Sequence, residues 1–210
     1  MIPDDTYKTI SEKSEGSFRD RGSKFIAEAF PVSTEQEIKK ILKGVKKNHP
    51  KANHHCYAWR LTPDKKVFKC SDDREPSGSA GRPILNAILG SDLTDLLIVV
   101  SRYFGGTLLG VPGLINAYRT AAQNAIDQSH KIIKTVNKQY ELQFDYSLMN
   151  EVMSILKREH ANILHQDFNE LCPGVTRIKF EIRKNKSENL VKRIKDNHQL
   201  IKNCKIICTS

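Results

Sequence analysis

Residues 95–113, DLLIVVSRYFGGTLLGVPG, constrain the fold of this chain more than any other stretch. Residues 96–100 form an unbroken apolar run with two Val and one Ile, the length and content of a strand covered on both faces. Ser101, Arg102, Tyr103 and Phe104 follow, and then glycine takes positions 105, 106, 110 and 113. From Leu114 onward, the spacing of Ala117, Tyr118, Ala121, Ala122 and Ala125 predicts a helix. A buried strand, a glycine turn and a helix in that order set backbone N–H groups at a sheet edge, where they can receive an anion.

The whole chain is much longer than this one stretch. Its 210 residues suit one large or two small domains, and 39% hydrophobic residues supply a core for each. Lys and Arg outnumber Asp and Glu 34 to 24. The excess is spread over both halves, so a polyanionic partner is plausible but no separate basic tail exists. Five cysteines (Cys56, Cys70, Cys172, Cys204 and Cys208) are scattered without a C-x-x-C pair, as in reduced and mostly buried thiols. The N-terminus has no basic-then-apolar leader, and no apolar run approaches the roughly 20 residues of a membrane span. A cytoplasmic protein with no membrane partner is expected.

Strands are predicted at residues 7–10 and 16–32. Overlapping capping boxes, Ser33 with Gln36 and Thr34 with Glu37, then predict a helix with the stripe Ile38, Ile41, Leu42 and Val45. Its other positions are Lys39, Lys40, Lys43, Lys46 and Lys47, which read as a solvated face or a phosphate-facing one. HHCYAWRL and KVFKC follow as two strands. SDDREPSGSAGRP must then loop before Pro83 helps start a helix with Ile84, Leu85, Ile88 and Leu89 on its apolar face. A join between halves is placed at residues 129–135. Beyond it Tyr140, Leu142, Phe144 and Tyr146 alternate with polar residues as a half-buried strand, and Ser147 and Ser187 are candidate caps of two helices. With strands at 163–168, 178–182 and 204–208, and a turn at Pro173-Gly174, the order is βαββαβ, a ferredoxin-like arrangement.

Arg102 beside the Gly105 and Gly106 N–H groups suits a phosphate or carboxylate, unless it pairs internally with Asp72, Asp73 or Glu75. The spacing fits neither a Walker A loop nor a dinucleotide motif. The acids at 72–75 enclose Arg74, which argues against a dense cation cage, and His54 and His55 are adjacent on a strand and point to opposite faces, so they do not converge with His49 and Cys56 on zinc. Ser77, Ser79 and Ser101 lack a nucleophile elbow. No catalytic constellation, metal or cofactor is expected. In the C-terminal half Arg177, Lys179 and Arg183, with Lys192, Arg193 and Lys195, read as a secondary basic surface for RNA phosphates or a protein.

DDREPSGSAGRPIL and VVSRYFGGTLLGVPGLINAY together resemble the signature of the IMPACT/YigZ family, usually close to DDGEPSGTAGKP and VVxRYFGGxxLGxGGLxRAY. The pattern around Ala52 to Ala58 is similar too. Arg74 and Pro112 stand where the family commonly has Gly, and Asn116 where Arg is frequent. The resemblance implies a first domain, residues 1–130, of the two-layer α/β type shared with a ribosomal-protein domain and ribonuclease PH. It also implies that residues 131–210 form the domain bacterial members append, similar to the last domain of elongation factor G. The eukaryotic relatives regulate translation by blocking activation of an initiation-factor kinase through a shared coactivator.

The expectation is therefore an α+β chain of two domains, a non-catalytic RNA- or ribosome-binding protein linked to regulation of translation. Its primary site would be Arg102, Tyr103, Gly105 and Gly106 with Ser77, Gly78, Ser79 and Arg82. Two alternatives stay open: an enzyme or sensor holding a small phosphorylated ligand in the Arg102/Gly105/Gly106 cleft, and a protein-docking regulator.

Overall fold

The computed structural model describes residues 5–168, 175–197 and 204–209; Cys172 and the expected Pro173-Gly174 turn lie outside them. The chain is α+β and divides into two compact units, residues 7–134 and residues 135–210 together with the first six. Among the described residues no helix is long and apolar enough to cross a membrane.

The first unit contains β1 (Thr6–Ile10), β2 (Ser14–Asp20), β3 (Ser23–Pro31), α1 (Glu35–Asn48), β4 (His54–Leu61), β5 (Val67–Ser71), α2 (Gly81–Gly90), β6 (Leu96–Tyr103), α3 (Gly110–Asp127) and β7 (Lys131–Thr135). Five strands form an antiparallel sheet in the order β2-β3-β6-β4-β5. Strand β6 takes the centre because both of its faces are apolar. Leu96, Ile98 and Val100 join Phe25, Ala27 and Ala29 in a core covered by α2 and α3, while Leu97 and Val99 join Trp59 and Leu61 under α1. The unit thus has three layers, where two were expected: the second apolar face of β6 and the stripe of α1 each need a cover, and they cover one another. Of the two overlapping capping boxes the chain uses Thr34 with Glu37. Leu89, predicted on the apolar face of α2, sits at the edge of that stripe and is exposed.

Strands β1 and β7 pair with each other, so residues 131–134 belong with the first unit. That pairing joins segments over a hundred positions apart, a relationship no local pattern announces.

The second unit runs β8 (Asn137–Asp145), α4 (Met149–Arg158), β9 (Asn162–Phe168), β10 (Val175–Arg183), α5 (Lys184–Asp196) and β11 (Cys204–Cys208), with sheet order β11-β8-β10-β9. Tyr140, Leu142 and Phe144 on β8 and Ile178, Phe180 and Ile182 on β10 pack against Val152 and Leu156 of α4 and Leu190 and Ile194 of α5. Both candidate serine caps are displaced. Asp145 accepts from the N–H and hydroxyl of Ser147 and opens a 3-10 turn, Tyr146–Leu148, which carries Tyr146 out of the strand into solvent. Ser187 lies buried inside the first turn of α5 and donates to the Lys184 carbonyl at 2.7 Å.

Candidate functional site

The loop between β5 and α2 folds around Asp72. One carboxylate oxygen accepts the N–H groups of Ala80 and Gly81 at 3.0 and 2.8 Å, and the other accepts that of Gly78 at 3.0 Å. The anion receptor that the glycine-rich loop builds at the start of α2 is therefore filled by the chain's own acid. Its neighbour Asp73 accepts the His55 N–H at 2.7 Å, and the backbone turns at Asp73 and Arg74 with φ of +37° and +73°.

One residue further on, Glu75 enters the core under α3. Its Oε1 accepts Arg102 Nη1 and the Tyr118 hydroxyl, both at 2.7 Å. Tyr118 also meets the thiol of Cys56 at 3.3 Å. The Arg102 guanidinium lies against the rings of Phe25 and Phe104, each about 5.5 Å from its central carbon, and its Nε is buried without a hydrogen-bond partner among the described residues. Burial pushes the Tyr118 phenol and the Cys56 thiol well above their ordinary ranges. Neither ionises near neutral pH, so neither is a ready nucleophile. The two segments that carry the family resemblance are tied together here, by a carboxylate from the first on an arginine and a tyrosine from the second.

On the opposite face of the sheet a second polar cluster closes the C-terminal end of α1. His49 bonds the Tyr103 hydroxyl through Nδ1 at 2.8 Å and approaches buried Glu28 through Nε2 at 3.4 Å, while Lys13 reaches Glu28 at 2.7 Å. His55 donates from Nε2 to the His49 carbonyl at 3.1 Å, and burial holds its pKa below the usual imidazole value.

The eight residues expected to form one anion site are thus dispersed. Arg102 is paired with Glu75, the internal alternative considered for it. Tyr103 points to the other face of the sheet. The Gly105 N–H is taken by Ser23 Oγ at 3.2 Å, and Gly105 crosses Gly22 so closely that a Cβ there would lie 1.9 Å from the Gly22 carbonyl carbon. Close chain crossing, rather than ligand access, accounts for a glycine at 105. Gly78 serves Asp72, and Ser79 is buried and donates to the Pro76 carbonyl at 2.6 Å, which leaves Ser77, Arg82 and Gly106 exposed.

The secondary basic set does not form one surface either. Arg177 and Lys179 project from the face of β10 opposite its apolar one, whereas Lys192, Arg193 and Lys195 lie on α5, which covers that apolar face. Arg183 is held by Asp5 through two bonds of 2.5 and 3.1 Å, and Arg193 by Glu159 at 2.9 Å. Of the thiols, only Cys56 is fully buried among the described residues, and Cys208 is exposed, so the expectation of mostly buried cysteines does not hold.

Two features lie outside the expected site residues. One is the outer face of α1, read from the sequence as a solvated or a phosphate-facing face, where Lys39, Lys40, Lys43, Lys46 and Lys47 are all exposed; among the described residues only Lys46 has a carboxylate within reach, Asp73 at 4.0 Å. The other is a cleft of about 370 Å³ at the start of α3, lined by Arg102, Glu75, His54 and a set of apolar side chains. A larger and more open depression, beside Glu15, Lys24 and Asp127, gathers no convergent chemistry.

Comparison with known proteins places these features in a family. Residues 21–126 match the model of the Impact N-terminal domain. The IMPACT family member YigZ of Escherichia coli (strain K12) is 34% identical over 148 residues, which span 70% of this chain and 72% of that protein. Protein IMPACT of Xenopus laevis is 32% identical over 124 residues, 57% of this chain and 38% of that protein. A crystal structure described as that of a hypothetical protein covers 98% of both chains with a TM-score of 0.74 at 25% identity. The chain belongs to the IMPACT family.

Proposed function

We propose that the protein acts in translation by binding RNA or the ribosome, without catalysing a reaction, and that the lysine face of α1 makes the contact. The observation that carries this reading is that face itself: five exposed lysines on one 14-residue helix, with acids only in its first turn. Such an array attracts a phosphate backbone by charge and releases its counterions on binding. Family membership supports the link to translation. The closed state of the Glu75–Arg102–Tyr118 cluster, with its phenol and neighbouring thiol kept protonated, supports binding over catalysis. The chain order βαββαβ and the sheet order of the second unit support a ferredoxin-like fold there. For the first unit we retain the kinship with the ribosomal-protein and ribonuclease PH type.

Sedimentation with ribosomes and titration of ribosomal RNA across 50–200 mM salt test the proposal. Affinity should fall steeply with salt, and the Lys40→Ala/Lys43→Ala/Lys47→Ala variant should lower the log–log slope by about one per lysine removed. Absence of association at the low-salt end, or an unchanged slope in the variant, would refute it. Arg102→Ala is not a suitable probe of this contact, because Arg102 is buried and ion-paired.

A further inference from the structure

We propose that the outer edge of β5 takes up an extended segment of a partner protein as a sixth strand, and that the segment carries two apolar residues flanked by acids. The inference concerns a sheet edge, not the lysine face of α1, and does not depend on the RNA-binding reading.

The two edges of the five-stranded sheet are treated differently. At β2 the helix α3 lies against the strand. The Ser14 hydroxyl donates to the Ala125 carbonyl at 2.8 Å, Asn124 Nδ2 donates to the Ser17 carbonyl at 2.9 Å, and a Cβ on Gly16 would lie 2.2 Å from the Ala125 nitrogen. At β5 such cover falls on the last residue, where a Cβ on Gly81 would lie 2.7 Å from the Ser71 nitrogen. From Val67 to Cys70 the strand pairs with β4 on one side, and among the described residues its backbone has no partner on the other. A strand so placed presents a row of N–H and C=O groups to which another strand can be added.

The side chains say what that strand carries. Register with β4 sets Val67 and Lys69 on the α1 face of the sheet, opposite Leu61 and Trp59, and Phe68 on the other face, opposite Arg60. Val67 is 42% exposed and Phe68 51%, so each face of the edge leaves an apolar side chain short of a neighbour. Lys66 and Lys69 flank this pair, both exposed and with no carboxylate within 4.0 Å among the described residues. The acids close by are engaged, Asp92 by Lys65 and Asp64 by the Thr62 hydroxyl and the Lys66 N–H. An added strand alternates its faces as β5 does, so the residues beside Val67 and Phe68 are apolar and those beside Lys66 and Lys69 are acidic. That order reads the same from either end and holds for a parallel or an antiparallel partner.

The same lysines argue against the other occupants. Two β5 edges paired with each other would gather Lys66 and Lys69 of both copies along one seam without an acid to neutralise them. A nucleic acid would answer the lysines but leave the backbone row and both apolar side chains unused.

The full chain, isotope-labelled, should be titrated with the end-blocked peptide STEVYETS, with STKVYKTS, with STEVYETS N-methylated at its four central residues, and with a short single-stranded RNA. Amide shifts and fluorescence anisotropy give the site and the affinity. The acidic peptide should shift the Val67–Cys70 amides and bind at least tenfold more tightly than the lysine peptide and than the N-methylated form, which cannot pair. Lys66→Glu/Lys69→Glu, at exposed positions, should keep the melting temperature and reverse the preference between the acidic and lysine peptides. Phe68→Ser should weaken the acidic peptide several-fold. Equal binding of the acidic and lysine peptides, undiminished binding of the N-methylated form, or an unreversed preference in the folded double variant would each overturn the proposal. So would RNA rather than peptide shifting these amides, a dimer that forms through β5, or no shift by the acidic peptide at millimolar concentration.

Discussion

Glu75 and Arg102, 27 positions apart, meet at 2.7 Å with both side chains more than nine-tenths buried. Tyr118 donates to the same Glu75 oxygen at 2.7 Å, so a loop, the central strand and the longest helix are bound through one carboxylate. Removing either ion strands the other in a dry site. Glu75→Ala and Arg102→Ala should each cost about 3–5 kcal/mol in denaturant unfolding. The double variant should cost clearly less than the sum, because the second substitution removes the stranded charge. Additive losses would show that the pair is not coupled.

Asp72 occupies an anion receptor that the backbone supplies. Asp72→Ala leaves three N–H groups of the loop without their acceptor and should lower stability by about 2–4 kcal/mol. The vacated receptor should then respond to added sulfate, with a larger rise in melting temperature for the variant than for the wild type. Equal responses would mean that the loop does not keep its shape without the carboxylate.

Arg74 holds φ at +73° at the position where the resembling motif usually has glycine. An L side chain pays roughly 1–2 kcal/mol for that conformation and glycine does not. Among the described residues Arg74 gains one exposed side-chain bond in return, from Nη2 to the Asn53 carbonyl at 3.2 Å. Arg74→Gly should therefore stabilise the fold by about 1 kcal/mol, measured as a higher denaturant midpoint with an unchanged m-value. A lower midpoint would show that the Asn53 contact outweighs the strain.

His55 makes stability depend on pH above the range of ordinary carboxylates. Burial lowers its pKa in the folded state, helped by Lys46 and His49, while its bond to the His49 carbonyl and the charge of Asp73 act the other way. As pH falls the unfolded chain takes up this proton first, near 6.5, so the contribution is complete above that pH and is lost as pH drops below it. Between pH 7.5 and 5.5 the denaturant midpoint of the wild type should fall, and that of His55→Gln should fall less. Asp5 acts in a separate, lower window: the hydrogen bonds from Arg183 depress its pKa, so its contribution holds above about pH 4 and fades below.

Much of the architecture is legible along the chain. The apolar run at 96–100 announces a strand buried on both faces, Thr34 and Glu37 announce the start of α1, and the alternation at Tyr140, Leu142 and Phe144 announces β8. These signals are local: each reports which atoms of a short segment need a cover or a cap. The candidate site is less legible because its groups meet across long separations. Nothing near Gly78 indicates that its N–H is taken by Asp72, and nothing near Gly105 indicates the approach of Gly22.

By itself, then, the sequence determined the elements and their order, the basic balance, and the presence of an acid-rich glycine loop and an arginine at the end of a buried strand. It named Asp72, Asp73 and Glu75 as possible partners of Arg102 without choosing among them. Tertiary structure made that choice. Asp72 sits where the N–H groups of its own loop converge, Asp73 faces the strand edge at His55, and Glu75 alone is carried under α3 to the guanidinium. The physical reason is that desolvation acts on assembled surroundings: whether a charge is free to meet a ligand or bound within the fold depends on what the packed chain brings within 3 Å of it.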